Sequence, residues 1–197
     1  MKITNQIRMA VIFCSAVIML FSITMVFNFM FKNFQSFSGK EQIANQFLLL
    51  LCGSFILYVI SVYMRQKGLT RLSSTFMYLL ILNIISSVFS ILHQMSLIQL
   101  GYKAIGSIYG VLGIIRFVLL IVILVNVTTR ESEKVKGTKE IKYFAIAFLV
   151  AFVFSYIGPR LVTNMGPKAY TSVLSLLFAI PFIFIIMFAK QIKEEEI

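Results

Sequence analysis

Six apolar runs dominate this chain: residues 9–31, 43–64, 72–92, 104–127, 143–158 and 169–189. Five are longer than the roughly 18 residues needed to cross a bilayer as a helix. The fifth run has only 16 residues. At ~1.5 Å per residue it would cover about 24 Å of a ~30 Å hydrocarbon core. It reaches across if Lys142 snorkels or if the helix continues past Pro159, and a re-entrant fifth segment is the competing arrangement. In hydrocarbon every backbone N–H and C=O must be paired within the protein, so segments of this kind are helices. The expected fold is therefore all-α, a bundle of six transmembrane helices forming a single membrane domain over residues 1–197. The connecting segments 32–42, 65–71, 93–103, 128–142 and 159–168 are too short to bury a core of their own.

Composition agrees with the runs. The chain is 59% hydrophobic and 13% charged, whereas a soluble domain is nearer 45–50% apolar and ~25% charged. Lys2 and Arg8 precede the first run as in a signal peptide, but the run is 23 residues long and ends without a small-x-small cleavage site, so it is expected to remain as the first span.

Charge distribution sets the expected orientation. With the N-terminus inside, cytoplasmic segments hold twelve basic residues: Lys2, Arg8, Arg65, Lys67, Arg71, Arg130, Lys134, Lys136, Lys139, Lys142, Lys190 and Lys193. The external segments hold five, namely Lys32, Lys40, Lys103, Arg160 and Lys168. The positive-inside rule then places both termini in the cytoplasm of a multi-pass plasma-membrane protein. The net charge of +11 is largely this topology signal. Basic residues dispersed over membrane loops do not form a nucleic-acid surface. Ile, Phe, Asn and Lys richness suggests an AT-rich bacterial genome.

The eighteenth basic residue is Arg116, near the middle of the fourth run. A charge there costs roughly 2.5–3.5 kcal/mol on insertion scales, and such residues face a bundle interior or a wet cavity. The chain has no Asp, and its acids are Glu41, Glu131, Glu133, Glu140, Glu194, Glu195 and Glu196, none within an apolar run. Arg116 must then be solvated by neutral oxygens, water, a lipid phosphate, a bound anion or a partner.

Polar residues in the third run supply candidates. Asn83, Ser86, Ser87, Ser90, His93 and Gln94 recur at spacings of three, four and seven, which align them on one helix flank. This stripe is either hydrogen-bonding glue between helices or one wall of a polar cavity. In the fourth run Gly106, Gly110 and Gly113 precede Arg116, with Tyr109 on the same flank. A Gly-x-x-x-Gly spacing permits close helix approach, so runs three and four are expected to form a tight hairpin. Arg116, Asn83, Ser87, Ser90, Tyr109 and His93 are the candidate ligand- or partner-binding residues.

Between the last two runs, Gly158-Pro159 and Gly166-Pro167 bracket six residues. The pattern predicts a stiff external loop that could present Arg160 and Lys168 to an anion or partner. Pro181 is expected to kink the last helix.

Catalytic signatures are missing. The sequence holds no nucleophile elbow, no metal-ligand pairing and no phosphate-binding loop. Cys14 and Cys52 lie in different runs without Cys-x-x-Cys spacing and read as packing residues. The chain is expected to be non-enzymatic, with no cofactor and no metal. Ion-coupled transport is disfavoured because it ordinarily needs an acid within the membrane.

Two functions fit. One is an interaction protein, such as an immunity protein against a membrane-active toxin or an accessory subunit of a secretion or transport complex. Its partners would be the lipid bilayer and another membrane protein or a peptide. The other is a membrane-embedded substrate-binding or permease subunit for an anionic or amphipathic ligand entering from outside, an anionic small molecule or a lipid headgroup. The slight lean is to the first.

Overall fold

A computed structural model describes residues 4–31, 39–98, 100–165 and 167–192, and among these there is no strand. The helices are α1 (Asn5–Phe31), α2 (Gly39–Leu48), α3 (Ser54–Gln66), α4 (Thr70–Gln94), α5 (Tyr102–Val127), α6 (Arg130–Glu133), α7 (Thr138–Met165) and α8 (Pro167–Ile192). Six stretches are long and apolar enough to cross a membrane: Asn5–Thr24, Ile43–Gln66, Thr70–Gln94, Lys103–Val127, Thr138–Gly158 and Ser172–Ile192.

These elements fall into two compact units. The first contains α2 to α5, in which α4 is the central helix and α2 and α3 pack along it. The second contains α1, α6, α7 and α8, with α8 packed against both α1 and α7. Buried side chains such as Ile56, Ile60, Met64, Leu72 and Phe76 form the core of the first unit, and Val11, Ile141, Ile185 and Phe188 belong to that of the second.

The second span is not a regular helix. Between α2 and α3, Leu49–Gly53 forms a π turn, which inserts an extra residue and leaves the local hydrogen-bond pattern incomplete. Nothing in the apolar alphabet of Leu49, Leu50, Leu51, Cys52 and Gly53 announces it.

The fifth span corrects an expectation. Helix α7 runs through Gly158-Pro159 as far as Met165, and α8 begins at Pro167. Of the external loop expected at 159–168, residue 166 alone falls between the helices. At ~1.5 Å per residue the 28 residues of α7 reach about 42 Å, ample for a bilayer. A short apolar run had concealed a long helix because Thr163, Asn164 and the two Gly-Pro pairs look like a loop. Helix α8 also continues through Pro181, which is fully buried.

Helix ends carry recognisable stops. After α3, Gly68 adopts φ +81°. Its N–H donates to the Arg65 carbonyl at 3.1 Å, and the Leu69 N–H donates to that of Met64 at 2.9 Å. This paired arrangement satisfies the orphan carbonyls of a helix terminus and favours glycine at the left-handed position. The same pairing closes α4, where Ser96 and Leu97 donate to His93 and Leu92 at 3.0 Å. There the left-handed position is held by Ser96, φ 59°.

Gly137, before α7, combines two demands. Its φ is +86°, and a Cβ would lie 2.7 Å from the Phe188 ring. Its N–H donates to Gln191 Oε1 at 3.2 Å. Gln191 Nε2 in turn donates to Glu140 Oε1 at 2.6 Å. A side-chain amide at the end of α8 thus holds the backbone and a carboxylate at the start of α7.

Two substitutions at left-handed positions should act in opposite directions. Ser96→Gly relieves a conformation that costs an L-residue roughly 1–2 kcal/mol and should raise the thermal midpoint in detergent. Gly137→Ala adds strain and a clash with buried Phe188, a combination expected to cost about 2 kcal/mol or more. Thermal unfolding of the two variants beside the parent checks both signs.

Candidate functional site

The middle of the first unit holds a chain of polar side chains linking three consecutive spans. It starts at Asn83 on α4. Its Nδ2 donates to the Leu49 carbonyl and to Ser54 Oγ, both at 3.0 Å. Leu49 opens the π turn and Ser54 follows it, so one carboxamide stitches both edges of the irregular segment to the neighbouring helix. Gly53 lies against this amide: a Cβ there would sit 3.5 Å from Asn83 Nδ2, an ordinary contact.

One turn further along α4, Ser86 Oγ donates to the Asn83 carbonyl at 3.2 Å. Arg116 Nη2, reaching from α5, donates to Ser86 Oγ at 3.0 Å. The guanidinium, near the middle of an apolar helix, is thus turned toward a protein hydroxyl, the orientation expected of a charge in such a segment. Ser86 receives its proton while donating its own, which is the double role a hydroxyl can play.

The other stripe residues divide by role. Ser87 and Ser90 are buried, and Ser90 Oγ accepts from Gln94 Nε2 at 3.2 Å. His93 lies in the last turn of α4, with Nδ1 3.4 Å from the Ile98 carbonyl. It borders the helix stop and lies seven residues beyond Ser86. Tyr109 makes an edge-on ring contact with Phe89, centroids 5.5 Å apart. Helices α4 and α5 thus meet through two side-chain contacts, Arg116 with Ser86 and Tyr109 with Phe89.

The expected tight hairpin through Gly106 and Gly110 is corrected by the structure. A Cβ at either position would meet nothing within 4 Å. Gly113 is half-exposed. The close approach of helices occurs instead in the second unit, where a Cβ on Gly158 would overlap the Tyr170 side chain. Tyr170 Oη donates to the Ser155 carbonyl at 3.3 Å, and its ring stacks on Phe154 with centroids 5.5 Å apart. Gly-x-x-x-Gly spacing permits close packing and does not compel it. Helix α5 is the least covered span, with 11% of its apolar window buried.

Arg160 and Lys168 lie on the helical backbones of α7 and α8, so the presenting loop expected for them is replaced by helix. Their side chains lie outside the described residues. Cys14 and Cys52 are free thiols. No group of three or more potential metal ligands occurs among the described residues.

Sequence reasoning missed three polar contacts. Ser86 was legible, three residues from Asn83 on the same flank, yet Ser87 looked equally apt as the partner of Arg116. The Glu140–Gln191 bond joins residues 51 apart, and no local pattern signals it. Ser61 donates to the Ser73 carbonyl at 2.9 Å and lies 3.0 Å from its hydroxyl, fastening α3 to α4 near their shared turn.

Comparison with protein-family models, with curated proteins and with solved structures gave no match.

The Asn83 contacts make a prediction. Asn83→Ala would free the Leu49 carbonyl and Ser54 at once. Interhelical hydrogen bonds in membranes average ~0.6 kcal/mol with a maximum near ~1.7, so two bonds lost together should cost about 1–2 kcal/mol. Ser87→Ala should cost less. Thermal unfolding in detergent, read by circular dichroism, ranks the two; equal losses would remove Asn83 from its special position.

Proposed function

We propose that this chain is a non-enzymatic interaction protein of a bacterial plasma membrane, crossing it six times with both termini in the cytoplasm. In this reading it acts as an immunity protein against a membrane-active toxin or as an accessory subunit of a secretion or transport complex. It engages another membrane protein or a peptide through α5 and its border with α4.

The observation that carries the reading is the state of Arg116. A guanidinium has five donors, and among the described residues this one is bonded through Nη2 to a single serine hydroxyl. It stands on the least buried of the six spans. A lone intramembrane charge on such a helix is a means of recognition, because its value is realised only when something complementary arrives. The alternative, a membrane-embedded binding or permease subunit for an anionic or amphipathic ligand, draws on the same guanidinium and the hydroxyl-rich flank of α4.

In-cell photocrosslinking separates the two. A benzoylphenylalanine at Tyr109, 38% exposed on α5, should give a discrete adduct with the mass of a second protein. The adduct should weaken at least about tenfold in Arg116→Leu, equivalent to 1.4 kcal/mol. Absence of a protein adduct, together with a small molecule released from the purified protein, would transfer the assignment to the ligand-binding alternative.

A further inference from the structure

The border of α4 and α5 at Arg116 points to a more specific partner. We infer that Arg116 receives a carboxylate carried at mid-membrane by a transmembrane helix of a different protein. The inference rests on the interaction reading above and specifies the chemistry of the partner.

Charge balance is the first step. A guanidinium held in the membrane interior by one neutral hydroxyl keeps its full charge uncompensated, and a carboxylate is the group whose planar geometry matches it. The chain cannot furnish that carboxylate. It has no Asp, and none of its seven Glu residues lies inside an apolar run. Glu41 precedes the second run by two residues, and Glu140 sits in the first turn of α7 and is already bonded to Gln191. A second copy of the chain carries the same deficit. The acid must come from another molecule.

Depth identifies that molecule as a helix. Arg116 is 14 residues from the start of α5 and 11 from its end. At ~1.5 Å per residue either boundary lies about 16–21 Å away along the axis, beyond the reach of a lipid phosphate held at the surface. A transmembrane helix can carry Asp or Glu at that depth.

Access is the third step. Tyr109, Gly113, Arg116, Leu120 and Ile123 share one flank of α5 through spacings of three, four and seven. Leu120 and Ile123 are buried, Gly113 and Arg116 are half-buried, and Tyr109 is exposed. The flank opens, therefore, from Arg116 toward the Tyr102 end of the helix. Adjacent Gly106 and Gly110 have open space where a Cβ would stand, leaving room for a neighbouring backbone. An incoming helix would pack at the glycine end and set its acid beside the guanidinium donors that Ser86 does not use, with Ser86 holding Nη2 on the α4 side.

The test uses the full chain in phosphatidylcholine vesicles, titrated with fluorescent polyleucine transmembrane peptides bearing one central Asp, Asn or Leu. The Asp peptide should bind at least tenfold more tightly than the Leu peptide, a difference of about 1.4 kcal/mol, with Asn far short of Asp. Arg116→Leu should erase the preference, Arg116→Lys should retain part of it, and Arg116→Glu should transfer it to a Lys-bearing peptide. The last is a gain of binding that misfolding cannot imitate.

Equal binding of the Asp and Leu peptides, or a preference surviving in Arg116→Leu, would overturn the inference. So would loss of the preference on adding phosphatidylglycerol, which would assign Arg116 to a net-anionic lipid headgroup. A protein adduct at position 109 without any Asp preference would leave the interaction reading standing and remove this one.

Discussion

Hydrocarbon offers no hydrogen bonds, and that constraint governs each polar atom placed in these spans. Backbone groups are satisfied by helix formation, which explains why the fold is helical wherever the sequence is apolar. Side-chain hydroxyls follow the same rule locally. Ser15, Ser22 and Thr24 each return a hydrogen bond to the carbonyl four residues back, at 2.8, 3.0 and 2.8 Å. These residues are neutral passengers in lipid, since they bring their own acceptor. The groups that cannot settle their needs within one helix are therefore the informative ones: the Leu49 carbonyl at the π turn, the Asn83 carboxamide and the Arg116 guanidinium.

Those three are served in sequence. Asn83 answers Leu49 and Ser54, Ser86 answers Asn83, and Arg116 uses Ser86. A hydrogen-bonded chain inside a low-dielectric interior is stiffer than its separate links, because each bond polarises the next. The guanidinium is consequently aimed, held on one side by the Ser86 hydroxyl, itself bonded to the main-chain carbonyl of Asn83 on a packed helix. Aiming a charged group in advance lowers the ordering cost of later recognition. Helix α4 contributes the rigidity, packed as it is against α2 and α3, while α5 contributes the charge.

How much of this was legible beforehand follows from range. The spans were plain, because hydropathy is a local property and six runs of suitable length leave little choice. Arg116 stood out for the same reason, as did the polar flank of α4, whose period is local too. The π turn was hidden, since five residues of Leu, Cys and Gly look alike in an α- or a π-helix. The fifth span was read too short because Gly-Pro pairs ordinarily stop a helix, yet Pro is tolerated when the surrounding structure re-satisfies the freed carbonyl. Gly106 and Gly110 misled for a different reason. Small residues report where a helix could approach, while the approach itself depends on what is present, and in this chain it is Gly158 that meets a neighbour.

The π turn has a geometric meaning beyond its hydrogen bonds. One inserted residue rotates everything on one side of it by about 100° around the helix axis, since an α-helix turns once every ~3.6 residues. Helices α2 and α3 are thus two separately phased surfaces on a single rod. Both lie against α4, a regular α-helix over Thr70–Gln94 whose flank drifts along its length. A regular helix would keep only one of its halves in register with that drift. The defect at Leu49–Gly53 works as a phase correction, letting one continuous span follow its neighbour from end to end, and Asn83 marks where the correction is made.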